Sequence, residues 1–263
     1  MKSFLGFNRP VITTMLKGIE NHEILSKKEI LFQIEEALKS GTDAFGFQIE
    51  MLPTAERTVS DFKDIFSAMG DKPAYITDYR RCNVNESVQS DEELTEEMLL
   101  ALECGATLFD VRGDLFDPQP DEFTTDEKAV ARQIELINTI HSMGKEALIS
   151  THTLQYTTPQ RVLEIMKAHQ DRGADISKLV ASAGTREEEF QAFENLFMLS
   201  RQLKIPYLYL VNGENCSRHR RLSPSLGNCL FLCAVDGVES GTQPHMSEAK
   251  TILTNSGFAD LHW

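Results

Sequence analysis

The sequence lacks the short motifs that most readily give a function away. Neither a G-x-G-x-x-G nor a G-x-x-x-x-G-K run is present, so no glycine loop announces a bound nucleotide. The five cysteines (Cys82, Cys104, Cys216, Cys229 and Cys233) include no C-x-x-C pair, and their number is odd. That excludes a zinc-ribbon pattern and a disulfide framework, and it predicts reduced thiols in a cytoplasmic protein with no metal site. No apolar run approaches the roughly 18 residues that span a bilayer. The first residues, MKSFLGFNRPVITT, lack the apolar core of a secretory signal. Basic residues are also few: 26 Lys and Arg stand against 40 Asp and Glu, a formal net charge of −14. An acidic chain repels phosphate backbones and anionic lipid, so neither nucleic acid nor membrane is an expected partner. A small molecule is.

What is there is a repeated unit, a short apolar run followed by a polar loop and an amphipathic stretch. Apolar runs alternating with helical segments read as βα units with buried parallel strands. Eight such runs are visible: 10–16, 44–50, 74–79, 106–112, 146–151, 175–181, 206–211 and 229–235. Helical stretches follow at 26–40, 58–69, 92–104, 125–143, 159–172, 186–203 and 246–254, with only a short connection after the seventh strand. Ser26, Ser60, Ser90, Thr125 and Thr158 stand where helices open, and Gly41, Gly70, Gly105, Gly144 and Gly173 where they close. Eight strands with no Pro/Gly/Ser-rich linker predict one (β/α)8 TIM barrel over residues 1–263.

In such a barrel, chemistry gathers at the C-terminal ends of the strands. Lys178 lies within D-I-S-K-L-V, inside an apolar strand. Burial disfavours an ammonium and frees a nucleophilic amine, which is what imine formation with a ketone requires. His152 ends the preceding strand, I-S-T-H. Neighbouring strands lie about 4.8 Å apart, so the imidazole can share a pocket with the amine and move protons there. Arg80, in Y-I-T-D-Y-R-R, and Arg218, in C-S-R-H-R-R, follow strands three and seven and are candidate carboxylate ligands. The pattern leaves open which member of each arginine cluster points inward. Asp110 and Arg112 share one face of strand four and read as an ion pair; Gln48 and Glu50 stand in the same relation on strand two.

These residues, in this order, resemble the type I 3-dehydroquinate dehydratases, (β/α)8 enzymes that work through a Schiff base. The likeness rests on I-S-T-H-T-L-Q-Y-T-T-P and G-A-D-I-S-K-L-V, with weaker matches at Y-I-T-D-Y-R, C-S-R and E-S-G-T-Q-P. It implies His152 as general acid/base and Lys178 as the imine-forming residue. It also implies Arg80, Arg218, Gln48, Ser240 and Gln243 as substrate contacts, no cofactor, a keto-acid substrate and a homodimer. The reaction implied is 3-dehydroquinate to 3-dehydroshikimate in the shikimate pathway, with His152 assisting carbinolamine dehydration before it removes the α-proton. Several positions depart from the family pattern: Gly46 and Gln48 stand where the family carries a glutamate and an arginine on strand two, R-C-N-V-N-E-S follows Arg80 where the family has a glutamate and two glycines, with Glu86 two positions late, and Asp110 with Arg112 replaces a D-x-E pattern on strand four. The alternatives this opens are imine chemistry on a different keto acid, retro-aldol cleavage included, and a barrel that only binds a carboxylate.

Overall fold

The computed structural model describes residues 3–16, 25–80, 89–238 and 241–258. Among them the strands β1 Val11–Leu16, β2 Ala44–Gln48, β3 Ala74–Thr77, β4 Leu108–Arg112, β5 Glu146–His152, β6 Ile176–Ser182, β7 Tyr207–Asn212 and β8 Leu230–Cys233 run in parallel. Their order is β7-β6-β5-β4-β3-β2-β1-β8, the (β/α)8 arrangement the sequence predicted. The helices are α1 Lys27–Lys39, α2 Val59–Ala68, α3 Asp91–Cys104, α4 Glu127–Ser142, α5 Pro159–Asp171, α6 Arg186–Gln202, α7 Cys216–Leu222 and α8 Met246–Asn255. None of the described helices is long and apolar enough to cross a membrane.

Local chemistry sets these boundaries. Capping boxes start four helices, Ser26 with Glu29, Thr58 with Asp61, Ser90 with Glu93 and Thr185 with Glu188. Thr58 therefore caps α2 rather than Ser60, and Asp126 caps α4 rather than Thr125, because each offers an oxygen to the free amides that follow. The short connection expected after β7 is instead the seven-residue α7, followed by a 3-10 turn at Ser223–Leu226. Its His219 and Cys216 are buried inward, a pattern too short for periodicity to reveal.

The ring closes between β7 and β8 by an unusual route. Cys229 N–H donates to the Tyr207 carbonyl at 2.9 Å. The Asn228 side chain then stands in for a strand residue: its Oδ1 accepts from Tyr209 N–H at 2.8 Å and its Nδ2 donates to the Tyr209 carbonyl at 2.9 Å. The eighth strand, which the sequence placed at 229–235, is thereby secured.

Two apolar layers lie between strands and helices, and a third fills the barrel. The inner layer includes Leu108, Leu148, Ile176, Leu208 and Leu230, with Phe4 plugging the N-terminal end. Phe4 is held there by its N–H on Glu146 Oε2 at 2.9 Å. With that end sealed, the interior is accessible only from the C-terminal ends of the strands.

Candidate active site

Strand parity decides what faces the interior. Ser150 is registered against Lys178 and His152 against Val180, so Lys178, Val180, Ser150 and His152 share the inward side. His152 stands one pleat nearer the mouth than Lys178. Both line a cavity of about 1090 Å³, together with Tyr75, Tyr79, Arg80, Arg112, Glu122 and Arg220.

Lys178 is 5% exposed. Its Nζ donates to Tyr75 Oη at 2.8 Å and to Asp110 Oδ2 at 3.3 Å. Tyr75 in turn donates its own hydroxyl proton to Asp110 Oδ2. The amine is thus dry, as strand position implied, but it sits on a phenol and a carboxylate. Asp110 does not pair with Arg112, contrary to the sequence reading. The intervening residue puts both inside the barrel, yet Asp110 turns to Tyr75 and Lys178 while Arg112 turns to Asp114 and Glu122.

His152 Nδ1 meets Glu122 Oε2 at 2.7 Å. A carboxylate there accepts the Nδ1–H hydrogen bond and so leaves Nε2 as the base, 3.5 Å from the Tyr79 hydroxyl. Burial lowers the imidazole pKa below its usual 6.5; the Glu122 hydrogen bond raises it and the Lys178 charge lowers it again. Glu122 is itself pushed up by burial, but the His152 hydrogen bond and charge and Arg112 outweigh this and take it to about 2. It is therefore a carboxylate at any working pH.

Glu122 reaches His152 because the loop between β4 and α4 folds down over the barrel mouth. Gly113 permits this: a Cβ there would lie 2.7 Å from the Glu122 carbonyl oxygen and would collide with Thr151 Oγ1. Arg112 holds Glu122 from the other side at 3.2 Å and reaches Asp114 at 3.2 Å. Asp114 also takes Arg80 at 2.8 Å. Charges alternate from Arg80 through Asp114, Arg112 and Glu122 to His152.

Arg80 lines the cavity, but Asp91 and Asp114 occupy its donors, so it anchors the rim. Arg220 differs. Its Nε donates to the Val211 carbonyl at 3.1 Å and its Nη2 to Asn212 Oδ1, and among the described residues no carboxylate pairs with it. Burial lowers its pKa from the usual guanidinium value. Thr77 Oγ1 and Gln243 Oε1, also on the cavity wall, are buried without a hydrogen-bond partner among the described residues. A cavity with such groups is built for a polar, anionic guest.

The family model for type I 3-dehydroquinase matches residues 24–259. The chain belongs to the type I 3-dehydroquinase family. Among solved structures it is similar to the 3-dehydroquinate dehydratase of Geobacillus kaustophilus HTA426, with a TM-score of 0.79 and 15% identity over 99% of this chain and 97% of that one. The type I enzyme of Clostridium difficile, solved with covalently modified comenic acid, gives 0.76 and 18% over 95% and 93%. The enzyme of Enterococcus faecalis gives 0.73 and 16% over 95% of each chain. At these identities the likeness shows the fold. No curated protein matches the chain in sequence.

Against the pattern of the 3-dehydroquinase family, the cavity is lined by His152, Lys178, Gln48 and Gln243 and leaves two expectations unmet. Arg218 does not line it. Its side chain is 51% exposed, lies on the outside of α7 and pairs with Glu189. Arg220 takes the inward place. Arg80 is spent on two aspartates. Ser240 lies outside the described residues. The missing strand-two glutamate is also explained: a Cβ at Gly46 would collide with Met15 Sδ, so that volume is already filled. Four residues at the site escaped the sequence reading as site residues: Tyr75, Tyr79, Glu122 and Arg220. Of these only Arg220 had a signal, its place in an arginine cluster after a strand.

Proposed function

We propose that this chain is a Schiff-base dehydratase acting on a hydroxylated 3-oxo acid, with 3-dehydroquinate as substrate and 3-dehydroshikimate as product. The observation that carries the reading is Lys178: a buried amine on the cavity, one pleat below an imidazole whose Nε2 faces the Tyr79 hydroxyl. Family membership supports the same reaction, and the covalently modified ligand of the Clostridium difficile relative is consistent with an amine nucleophile.

Lys178 Nζ attacks the ketone carbon, and loss of water leaves an iminium. The iminium withdraws electrons and acidifies the adjacent C–H. His152 Nε2 removes that proton; the β-hydroxyl leaves and takes the proton back from His152 as water. Hydrolysis of the iminium then releases the enone and restores Lys178. Glu122 keeps the Nδ1 proton in place throughout and stabilises the imidazolium. Arg220 takes the substrate carboxylate, since its charge is the one at the cavity without a facing anion among the described residues. Thr77 and Gln243 offer partners to substrate hydroxyls.

The direct test is borohydride reduction of the purified protein with 3-dehydroquinate, followed by intact-mass measurement, with enone absorbance recorded in parallel. A mass gain equal to the reduced adduct and rising absorbance are expected. An unchanged mass and flat absorbance would remove the proposal. An adduct with another keto acid but none with 3-dehydroquinate would favour imine chemistry on a different substrate.

The carboxylate seat has its own test. Hydrogen bonds to charged groups contribute about 1.5–3 kcal/mol, so Arg220→Met is expected to raise KM for 3-dehydroquinate by about 10- to 100-fold. Arg218→Met, on the outer face of α7, is expected to leave KM within about twofold. Steady-state kinetics on both variants decides, and the reverse ranking would return the role to Arg218.

A further inference from the structure

Imine formation demands proton handling at the lysine nitrogen itself. The reaction begins with an ammonium carrying three protons and ends with an iminium nitrogen carrying one. The other two protons leave with the carbonyl oxygen as water. Both must pass from nitrogen to oxygen beside Lys178 Nζ. Tyr75 and Asp110 stand there, with Tyr75 Oη 2.8 Å and Asp110 Oδ2 3.3 Å from Nζ.

We propose that Tyr75 is a catalytic residue, a phenol that relays protons between Lys178, Asp110 and the substrate carbonyl oxygen. The proposal rests on the imine reading above and adds a second proton path, beside His152, to the carbinolamine chemistry. The steps balance as follows. Nζ–H gives a proton to Tyr75, which passes its own to Asp110, leaving a neutral amine and a carboxylic acid. The amine attacks the ketone carbon, a C–N bond forms and the carbonyl electrons move to oxygen. Asp110 returns its proton through Tyr75 to that oxygen. It then takes a second proton from nitrogen by the same path and delivers it to the hydroxyl. The C–O bond breaks, water leaves and the iminium remains. Asp110 is again a carboxylate and Tyr75 again a phenol.

Three further observations fit. Tyr75, Lys178 and His152 open on the same cavity, so the phenol reaches substrate as well as amine. Asp110 Oδ1 is buried without a hydrogen-bond partner among the described residues, leaving that carboxylate free to accept. Burial, and then the Asp110 charge, raise the Tyr75 phenol well above its ordinary pKa, so it starts protonated and can donate. Each proton-handling group thus has its own carboxylate: Asp110 behind Tyr75 for nitrogen and oxygen, and Glu122 behind His152 for carbon.

The test follows adduct formation in time, by adding borohydride at successive intervals after mixing protein with 3-dehydroquinate and weighing the intact chain. General acid–base groups contribute about 10²–10⁴-fold, so Tyr75→Phe is expected to slow adduct appearance by that factor while the final yield is unchanged. Its rate is also expected to climb with pH, since hydroxide must then take the ammonium proton, whereas the wild-type rate stays flat near neutrality. Asp110→Asn, which removes the terminal acceptor, is expected to give the same climb. That pH signature separates a relay from a packing role, which would slow the reaction equally at every pH. Adduct formation at the wild-type rate in both variants, or slowing without a pH climb, overturns the relay alone. No adduct on the wild-type protein overturns the imine reading and the relay with it.

Discussion

Lys178→Met is expected to abolish the borohydride-trapped adduct and to cut turnover of 3-dehydroquinate by at least about 10⁴-fold, because among the described residues no other amine lines the cavity to form the carbon–nitrogen bond. Methionine nearly preserves side-chain volume, so the inner layer around Leu208 and Ile176 keeps its packing. It does remove the cation facing Asp110. A buried carboxylate left without its partner costs about 3–5 kcal/mol, so the variant is expected to melt earlier than the wild type. Lys178→Arg separates the two effects. A guanidinium retains the charge beside Asp110 but cannot form the imine, so activity is expected to be lost in both variants and stability chiefly in the first. Full activity in either would defeat covalent catalysis, and with it the function proposed here.

The second large effect concerns His152. His152→Ala is expected to leave adduct formation possible but to slow enone release by about 10²–10⁴-fold, since α-proton removal has lost its base. Glu122→Gln is expected to act more mildly and through the same imidazole. The carboxylate raises the His152 pKa against burial, so its loss lowers that pKa further. Activity needs the neutral ring. It is therefore present above the His152 pKa and falls as pH drops through it, and the acid limb of the kcat/KM profile is expected to move to lower pH in Glu122→Gln. A limb that stays in place while the rate drops would mean that Glu122 does not act on the imidazole.

How much of this the sequence made legible follows from periodicity. A charged residue inside an apolar strand is conspicuous, and two residues on neighbouring strands with matching parity converge whatever the details of the loops. That is why Lys178 and His152 could be read together. Tyr75 sits at an equally inward position of β3, yet tyrosine is an ordinary strand residue and the pattern gives its hydroxyl no weight. Glu122 comes from a loop with no period at all, and its reach depends on the close approach allowed at Gly113. The choice between Arg218 and Arg220 turns on α7. Two residues apart in a helix are rotated by about 200°, so they point to opposite faces, and a segment read as a connection assigns neither face. Asp110 was misjudged for a related reason: parity gives the side of a strand but not which side chains meet across the interior, and there Asp110 meets Tyr75 and Lys178.

The Asn228 amide has a consequence for how the barrel comes apart. Elsewhere the staves are joined by runs of backbone bonds, but between β7 and β8 one side chain spans the arc with Cys229 beside it. That arc has the least to lose on parting, so loosening of the ring begins there. It lies one stave from β6, which carries the amine. Local opening of the seam would free β7 from one side, next to the strand that carries Lys178, before the rest of the fold has yielded, so the seating of the nucleophile and the integrity of this single carboxamide are tied together.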